Sequence, residues 1–261
     1  LDFAVRTRDA NILGMVHRAI EHNEIMLAYQ PVIQTHATDR VAFYEGLLRV
    51  LDETGRVIPA NDFIAAVEET EAGRKLDCLS LKKGLTELHR NPGLRLAINM
   101  SARSIGYPRW MRILSRGLED DPTIGERLIL EITEHSAMLV PEIVVSFMSH
   151  YQRLGVAFAI DDFGAGYTAL RHFKDFSFDI LKIDGQFIAD IASDPDNQVL
   201  VRAMVSIAEQ FDMFTVAEAV EQAQDAHMLA QLGLTCLQGR YFGAPTVNPP
   251  WRAPASRERS A

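Results

Sequence analysis

Short, strongly apolar runs alternate with longer amphipathic stretches along most of this chain, and that alternation restricts its fold more than any other feature. The runs are LRLAIN, RLILEITE, VAFAIDD, FDILKID, FTVAEAV and LTCLQG. Helical spacing is read near residues 61 to 90, 105 to 119, 137 to 154, 168 to 175, 195 to 211 and 222 to 232. Runs this apolar are buried on both faces, so the pattern predicts a parallel sheet covered by helices. About eight strands over this length favour a closed (β/α) barrel over an open doubly wound sheet. Ahead of the regular pattern, Ile12, Met15, Val16 and Ile20 recur at helical spacing. Two strands follow, MLAYQPVIQ from Met26 and VAFYEGLLRV from Val41, close enough to pair as an antiparallel hairpin. Pro31 cannot donate to a ladder, so the first of them is expected to be peripheral or interrupted there.

Nothing inside the 261 residues reads as a linker, which gives one domain over residues 1–246. The tail 247–261, with Pro249, Pro250, Pro254, Arg252, Arg257 and Arg259, reads as a poorly ordered end without a function. A hydrophobic fraction of 48% supplies a core. The net charge of -9 argues against a nucleic-acid polymer as partner, because such binding draws its affinity from phosphate neutralisation. A small anionic ligand stays open if metal ions intervene. Cys78 and Cys236 are far apart and form no CxxC pair, so neither a disulfide framework nor a zinc site is indicated, and a reducing cytoplasm fits. No run is long enough to span a membrane, and no signal pattern opens the chain. Its start at Leu1 rather than Met reads as a fragment of something longer.

The ends of the apolar runs carry the chemistry. They present Glu45, Asn99, Glu131 with Glu134, Asp161 with Asp162, Lys182 with Asp184, Glu218 with Glu221, and Gln238. In a parallel barrel all these ends open on one face, so residues distant in sequence converge on one bowl. Carboxylates gathered so closely must raise one another's pKa or hold cations between them. Oxygen ligands with one Asn carbonyl suit Mg²⁺ or Mn²⁺ rather than zinc. So many acids read as a site for two ions, with Asp161 a candidate bridge. Such a pair is a clamp for in-line attack of water on a phosphodiester.

Plainer readings stand beside this one. A single acid after a strand is more often a helix N-cap than a ligand, and only the convergence shifts Asp161 away from that reading. Lys182 reads equally as a structural counter-ion or as a group that activates water. Gly164 and Gly166 permit a tight turn, and GAG is too short for a phosphate loop. None of the eight histidines lies in HExxH or HxH, and no Gly-x-Ser-x-Gly elbow occurs.

The motifs YQPV, EGLLR, NMS, LEITE, DDFGAGY, LKID, VAEAVE and LQG occur in this order from about Ile25 to Pro245, and with them the chain resembles the EAL-domain family of cyclic di-GMP phosphodiesterases. The resemblance implies a modified TIM (β/α)8 barrel whose first strand runs antiparallel to the others. It implies hydrolysis of one phosphodiester bond of cyclic di-GMP, giving linear pGpG, with two Mg²⁺ or Mn²⁺ ions; Ca²⁺, larger and more flexibly coordinated, is expected to be inhibitory. By position, Glu45, Asn99, Glu131 and Asp161 look like ligands of one metal, and Asp161, Asp162 and Glu218 like ligands of the other. Glu218 is also assigned as a general base in the family. Lys182 would hold and polarise the attacking water, and Gln238 would help orient water or phosphate. Arg49 looks like a phosphate contact, while Gln30 and Leu47 would line the nucleotide groove. Glu134 is similar to the glutamate that anchors the loop after the aspartates, and Asp184 and Glu221 match supporting acids around the ligands. A homodimer, a fused sensory domain in a longer parent, a cytoplasmic location and no membrane contact by this domain are further expectations from the resemblance.

The chain departs from the family pattern at several points. The signature Glu-Ala-Leu is Glu45-Gly46-Leu47 here, with a small backbone effect expected. Ala165 replaces a common threonine and Thr168-Ala169 a serine pair, in a loop that couples the metal site to dimer contacts in the family. Ala219 stands where glycine is usual, and Arg240, which reads as a solvated surface arginine, where an aromatic is common. The competing readings are a receptor that binds cyclic di-GMP without cleaving it and a barrel enzyme acting on another phosphodiester.

Overall fold

A computed structural model describes residues 2–166 and 173–252. Its nine strands form one sheet. They are β1 (Ile25–Gln34), β2 (Ala37–Leu51), β3 (Val57–Pro59), β4 (Leu96–Asn99), β5 (Leu128–Thr133), β6 (Ala157–Phe163), β7 (Ile180–Ile183), β8 (Phe214–Ala217) and β9 (Cys236–Gln238). From β2 through β4 to β9 each neighbouring pair is parallel, and β1 closes the circle antiparallel to both β2 and β9. The expected barrel with a reversed first strand is therefore present. The short β3, which periodicity did not reveal, is appended antiparallel to the far end of β2.

The helices are α1 (Asp2–Glu21), α2 (Ile64–Val67), α3 (Glu71–Arg90), α4 (Pro108–Asp120), α5 (Glu134–Leu139), α6 (Pro141–Gln152), α7 (Pro195–Gln210) and α8 (Ala223–Gln231). Two expected helices are divided. The stretch 61 to 90 breaks before Thr70, whose hydroxyl caps α3 by accepting from the Ala72 N–H at 3.1 Å. The stretch 137 to 154 starts earlier, at Glu134 after an N-cap from Thr133, and is cut ahead of Pro141, which opens α6 at its first turn. Most of the segment expected to be helical from 168 to 175 lies outside the described residues. Residues 247–252, grouped by composition with a poorly ordered tail, pack on the barrel: Trp251 stacks edge-on against Tyr29 and Tyr44.

Pro31 sits inside β1, which is neither peripheral nor interrupted. Its ring nitrogen falls on the side away from β2, by alternation with Tyr29, and pairing with β9 begins only at the next residue, Val32. The missing donor is thus placed where no ladder partner stands.

Side chains alternate in and out along every strand. Val32, Phe43, Ala97, Ile129, Ala159, Ile180, Val216 and Cys236 pack together as an apolar plug inside the barrel. Moving two residues along each chain gives Gln30, Glu45, Asn99, Glu131, Asp161, Lys182, Glu218 and Gln238, so a polar layer lies directly above the plug. The outward residues, among them Leu27, Ile98, Leu130, Ile160, Leu181 and Leu237, form the main core with the helices. A separate cluster joins α1, α2 and α3 to β2 and β3 through Val16, Val50, Ile58, Phe63 and Leu76.

Gly46 lies on the outer face of β2 and has a packing role. A Cβ there would come within 2.8 Å of Ile98 Cδ1, and one at Gly84 of α3 within 2.6 Å of the same atom. Ile98 fills the space these two glycines leave. Gly46→Ala, which restores the family's signature residue, is expected to cost about 1–2 kcal/mol through overpacking. Ile98→Val in the same chain should return most of it, as urea unfolding of the single and double variants would record.

Candidate active site

On the parallel strands the polar residues above the plug are placed by one geometry: the strand approaches through apolar residues and the inward position two steps on, toward its carboxyl end, is polar, while reversed β1 brings Gln30 to the same level from the other direction. Glu45 of β2 is the hub on one side. It accepts from Asn99 Nδ2 at 2.7 Å through Oε1 and from Gln238 Nε2 at 2.6 Å through Oε2. The Gln238 amide also donates to Gln30 Oε1 at 3.2 Å. Lys182 of β7 is the hub of the other side, with Nζ 2.7 Å from Glu218 Oε1, 2.9 Å from Asp161 Oδ1, 3.2 Å from Glu131 Oε2 and 3.4 Å from Glu45 Oε2. Lys182 and Glu131 are fully buried.

Five carboxylates, counting Asp162, face this one ammonium. Burial opposes the charge on Lys182, but Asp161, Glu131, Glu218 and Glu45 outweigh it and hold the amine well above the ordinary lysine range. Burial raises Glu131, and the charge of Glu45 raises it further. Burial and Asp161 likewise push Glu218 well above the ordinary carboxylate range. Glu45 goes the other way: burial would raise it, yet Lys182 and the amides of Gln238 and Asn99 keep it low. Asp162 is pushed up to about 6 by burial, then by Asp161 and Asp184. Its φ of 54° is a left-handed conformation that aspartate adopts more readily than most residues.

The donor set fits divalent cations. Carboxylate oxygens of Asp161, Asp162 and Glu218 all lie within 4.8 Å of one another. Buried Glu131 Oε1 and Gln238 Oε1 accept no hydrogen bond from the described residues, and Asp161 Oδ1 meets only the ion contact with Lys182. Unpartnered buried oxygens of hard type, turned into one cup, are what Mg²⁺-like ions require.

Above the cup opens a cavity of about 650 Å³. Gln30, Leu47 and Arg49 line it, and so do Glu221 and Arg240, which form an exposed pair at 3.4 Å on its rim. Glu134 lies apart from the cup. It is buried on α5 and its Oε2 accepts from the Gly164 N–H at 3.1 Å, tying down the turn after the aspartates. Gly164 has φ +95°, and a Cβ there would stand 2.8 Å from both Met204 and Phe187, so only glycine serves. Asp184 caps a short 3₁₀ turn by accepting from Gln186 N–H at 2.7 Å and makes no hydrogen bond to the central group. Ala219 holds φ 53°, which costs a non-glycine residue about 1–2 kcal/mol.

Sequence reading missed Asp77. This residue of α3 reaches the cavity and accepts from the Ser101 N–H at 3.0 Å and the Ser104 hydroxyl at 2.6 Å, which fixes the loop after Asn99. Burial pushes its carboxyl up to about 6. Its signal was present: Asp77, Ser80 and Gly84 recur at helical spacing as a small and polar stripe among the apolar positions Leu76, Leu81 and Leu85 of an amphipathic helix.

The family model described as the EAL domain matches residues 14–245. An uncharacterised protein, y4lL of Sinorhizobium fredii, is 32% identical over 94% of this chain and 30% of its own length. The cyclic di-GMP phosphodiesterase PdeF of Escherichia coli is 30% identical over 90% of this chain and 32% of its own length. The chain therefore spans about a third of the length of these curated relatives. Among solved structures, the PaMucR phosphodiesterase in its c-di-GMP complex superposes with a TM-score of 0.78 at 27% identity, over 90% of this chain and 97% of that one.

Lys182→Met should leave the acids uncompensated and lower stability by about 3–5 kcal/mol at pH 7.5. The Lys182 contribution is complete below the ordinary lysine value of 10.5 and fades only as pH rises through its elevated folded value. The raised acids Glu131 and Glu218 take up protons as pH falls, so the variant's deficit should shrink at pH 5. Urea unfolding in EDTA at the two pH values measures this.

Proposed function

The chain belongs to the EAL-domain family, and from that premise we propose that it is a phosphodiesterase that opens cyclic di-GMP to linear pGpG in bacterial second-messenger signalling. The observation that carries this reading is the polar layer in which Glu45, Asn99, Asp161, Glu218 and Gln238 line a 650 Å³ cavity, with Glu131 and Lys182 buried directly behind them. Every position of the family's ligand set is filled by the residue type it requires. A receptor that has lost hydrolysis would be expected to lack one.

In this reading Glu45, Asn99, Glu131 and Asp161 hold one divalent ion and Asp161, Asp162 and Glu218 a second, Mg²⁺ or Mn²⁺ being the fitting ions for oxygen donors. Such ions, when bound, supply charge neutralisation for the phosphate and a lowered pKa for water. The protein supplies the rest. Lys182 Nζ, fixed by the acids around it, donates to the attacking water and orients it. Glu218, 2.7 Å from Lys182 Nζ, takes a proton from that water. Gln238, aligned by Glu45 and Gln30, donates to water or to a phosphate oxygen. Arg49, which lines the cavity, would contact a phosphate of the nucleotide. Gln30 and Leu47 line the path of the nucleotide. As the water oxygen bonds to phosphorus, one P–O ester bond breaks and the proton passes to the leaving sugar oxygen, giving one terminal phosphate and one hydroxyl. Glu134 holds the turn at Gly164, and Asp184 and Glu221 support the electrostatics around Asp162 and the rim.

The same reading places the reaction in the cytoplasm, in keeping with two free, buried cysteines. No helix among the described residues is long and apolar enough to cross a membrane. It also includes a homodimer and a fused sensory domain, both expected from the family resemblance, and the curated relatives are about three times the length of the stretch they share with this chain.

Chromatography of cyclic di-GMP incubated with the chain should give pGpG with Mg²⁺ or Mn²⁺ and none with EDTA. Intact ligand, with binding shown separately, would make the chain a receptor instead. Glu45→Ala should reduce turnover by roughly 100- to 1,000-fold, on the order of what loss of a central electrostatic group costs, while the circular dichroism spectrum is unchanged. Ca²⁺, larger and more loosely coordinated, should permit cyclic di-GMP binding without hydrolysis. Comparable rates in Ca²⁺ and Mg²⁺ would count against the two-ion assignment.

A further inference from the structure

Residues 246–252 lie beyond the stretch that the family model matches, yet they fold back onto the strand that closes the barrel. Thr246 pairs with Tyr29 of β1 in an antiparallel bridge, the Tyr29 N–H reaching Thr246 O at 2.8 Å and the Thr246 N–H reaching Tyr29 O at 3.1 Å. Trp251 stands edge-on to Tyr29 and Tyr44, with ring centroids 5.0 and 4.7 Å away, and its indole N–H donates to Glu87 Oε2 at 3.0 Å. Arg252 donates through Nη2 to Glu87 Oε1 at 2.5 Å and to the Tyr29 hydroxyl at 3.2 Å. Tyr29 and Glu87, the receivers of these contacts, are themselves buried. The last residues of the described chain thus bind β1 and β2 to α3.

Strand alternation gives this packing a consequence for the site. Tyr29 and Tyr44 point out of the barrel, so their chain neighbours Gln30 and Glu45 point in, and those two are partners in the β1–β2 register. On its other side β1 pairs with β9 only from Val32 to Gln34. At Tyr29 and Gln30 no strand of the barrel stands there, and Pro31 has no N–H to offer one. Thr246 occupies the place of the missing neighbour while Trp251 covers the outer face of the β1–β2 pair, and Gly243 O, just ahead of the returning segment, accepts from Gln30 Nε2 at 3.1 Å.

We propose that Trp251 and Arg252 are positioning residues for Glu45 and Gln30. By clamping Tyr29 and Tyr44 to Glu87 from outside, they fix the spacing of the β1–β2 pair at the point where its inner face carries a metal-ligand carboxylate and a groove amide. Aromatic contacts with offset edge-to-face geometry suit this role, because they resist sliding of one strand past the other. The catalytic consequence rests on the phosphodiesterase reading, whereas the consequence for cation and nucleotide binding is read without turnover.

The test uses the whole chain in four forms: wild type, Trp251→Ala, Trp251→Phe and Arg252→Met. A fifth, Val144→Ala, removes buried apolar volume on α6, remote from the clamp, and serves as a control for lost stability. Mn²⁺ affinity is measured by electron paramagnetic resonance, and cyclic di-GMP affinity in Ca²⁺ by calorimetry, both well below every melting temperature. Trp251→Ala should weaken both at least fivefold and Arg252→Met about twofold, with Trp251→Phe close to wild type and Val144→Ala unchanged despite its lower melting temperature. Should Trp251→Ala not fold, Arg252→Met, which keeps the ring contacts, decides the matter by the same two affinities. Wild-type affinities in Trp251→Ala and Arg252→Met, with lowered melting temperature alone, would reduce the segment to a structural prop and overturn the proposal. A wild type that binds Mn²⁺ but leaves cyclic di-GMP uncut defeats the phosphodiesterase reading and leaves the clamp to be judged on affinity. One that binds neither ligand overturns both.

Discussion

One buried ammonium holds the interior of this barrel together. Lys182 has no exposed surface, and four carboxylates from β2, β5, β6 and the end of β8 lie within 3.4 Å of its nitrogen. Neither side of this arrangement could be buried alone. A lone lysine in an apolar barrel would give up its proton, and unpaired acids would take protons up. Together they offset one another's burial and join strands that are far apart in sequence. The same oxygens are those a divalent cation would use, so Lys182 and bound cations share one set of partners. In the proposed reading, this contact with every candidate ligand carboxylate but Asp162 is what would bring Lys182 to a water or phosphate held by those ions.

The chemistry is confined to one level of the barrel by the pleat. Each member of the apolar plug lies two positions along its chain from a member of the polar layer, on all the strands that form the closed sheet. The plug therefore fixes the height of the layer above it. Alanines at 97 and 159 leave room beside the larger Phe43, Ile129 and Ile180, and Asn99 and Asp161 rise from those narrower positions. A shift of one residue in any strand would turn its polar end group outward among the helices, where nothing could satisfy it. Register and site are in this sense the same constraint.

Much of this was legible in the chain. The apolar runs ending in acids, asparagine, lysine and glutamine marked both the strands and the site, because a parallel barrel needs apolar strands and puts their carboxyl ends together. The antiparallel first hairpin followed from two strands joined by a short polar loop. Helix division at Thr70 and Pro141 was less visible, since apolar spacing continues across both breaks while the caps interrupt the backbone. Asp77 escaped because an acid on a helix is ordinarily a solvated one, and its burial depends on the serines of the loop after β4. Gly46 and Gly84 were unremarkable alone, and only the position of Ile98 between them shows why both lack a side chain.

The sequence by itself determined which residues could do the chemistry: the order of its motifs, the polar residue two steps beyond each buried strand position, and the excess of acid over base. These are local properties, set by the side chain and by the period of a strand. Tertiary structure alone decided which of those residues meet. It gathered Glu45, Asn99, Glu131, Asp161, Lys182, Glu218 and Gln238 into one layer, and left Asp184 capping a turn and Glu221 at the rim beside Arg240. It also brought Trp251 and Arg252, from a stretch that composition alone groups with the tail, against Tyr29 and Tyr44. Such meetings depend on how strands twist, close and stack, and contacts between residues more than two hundred positions apart have no trace in the local pattern of either partner.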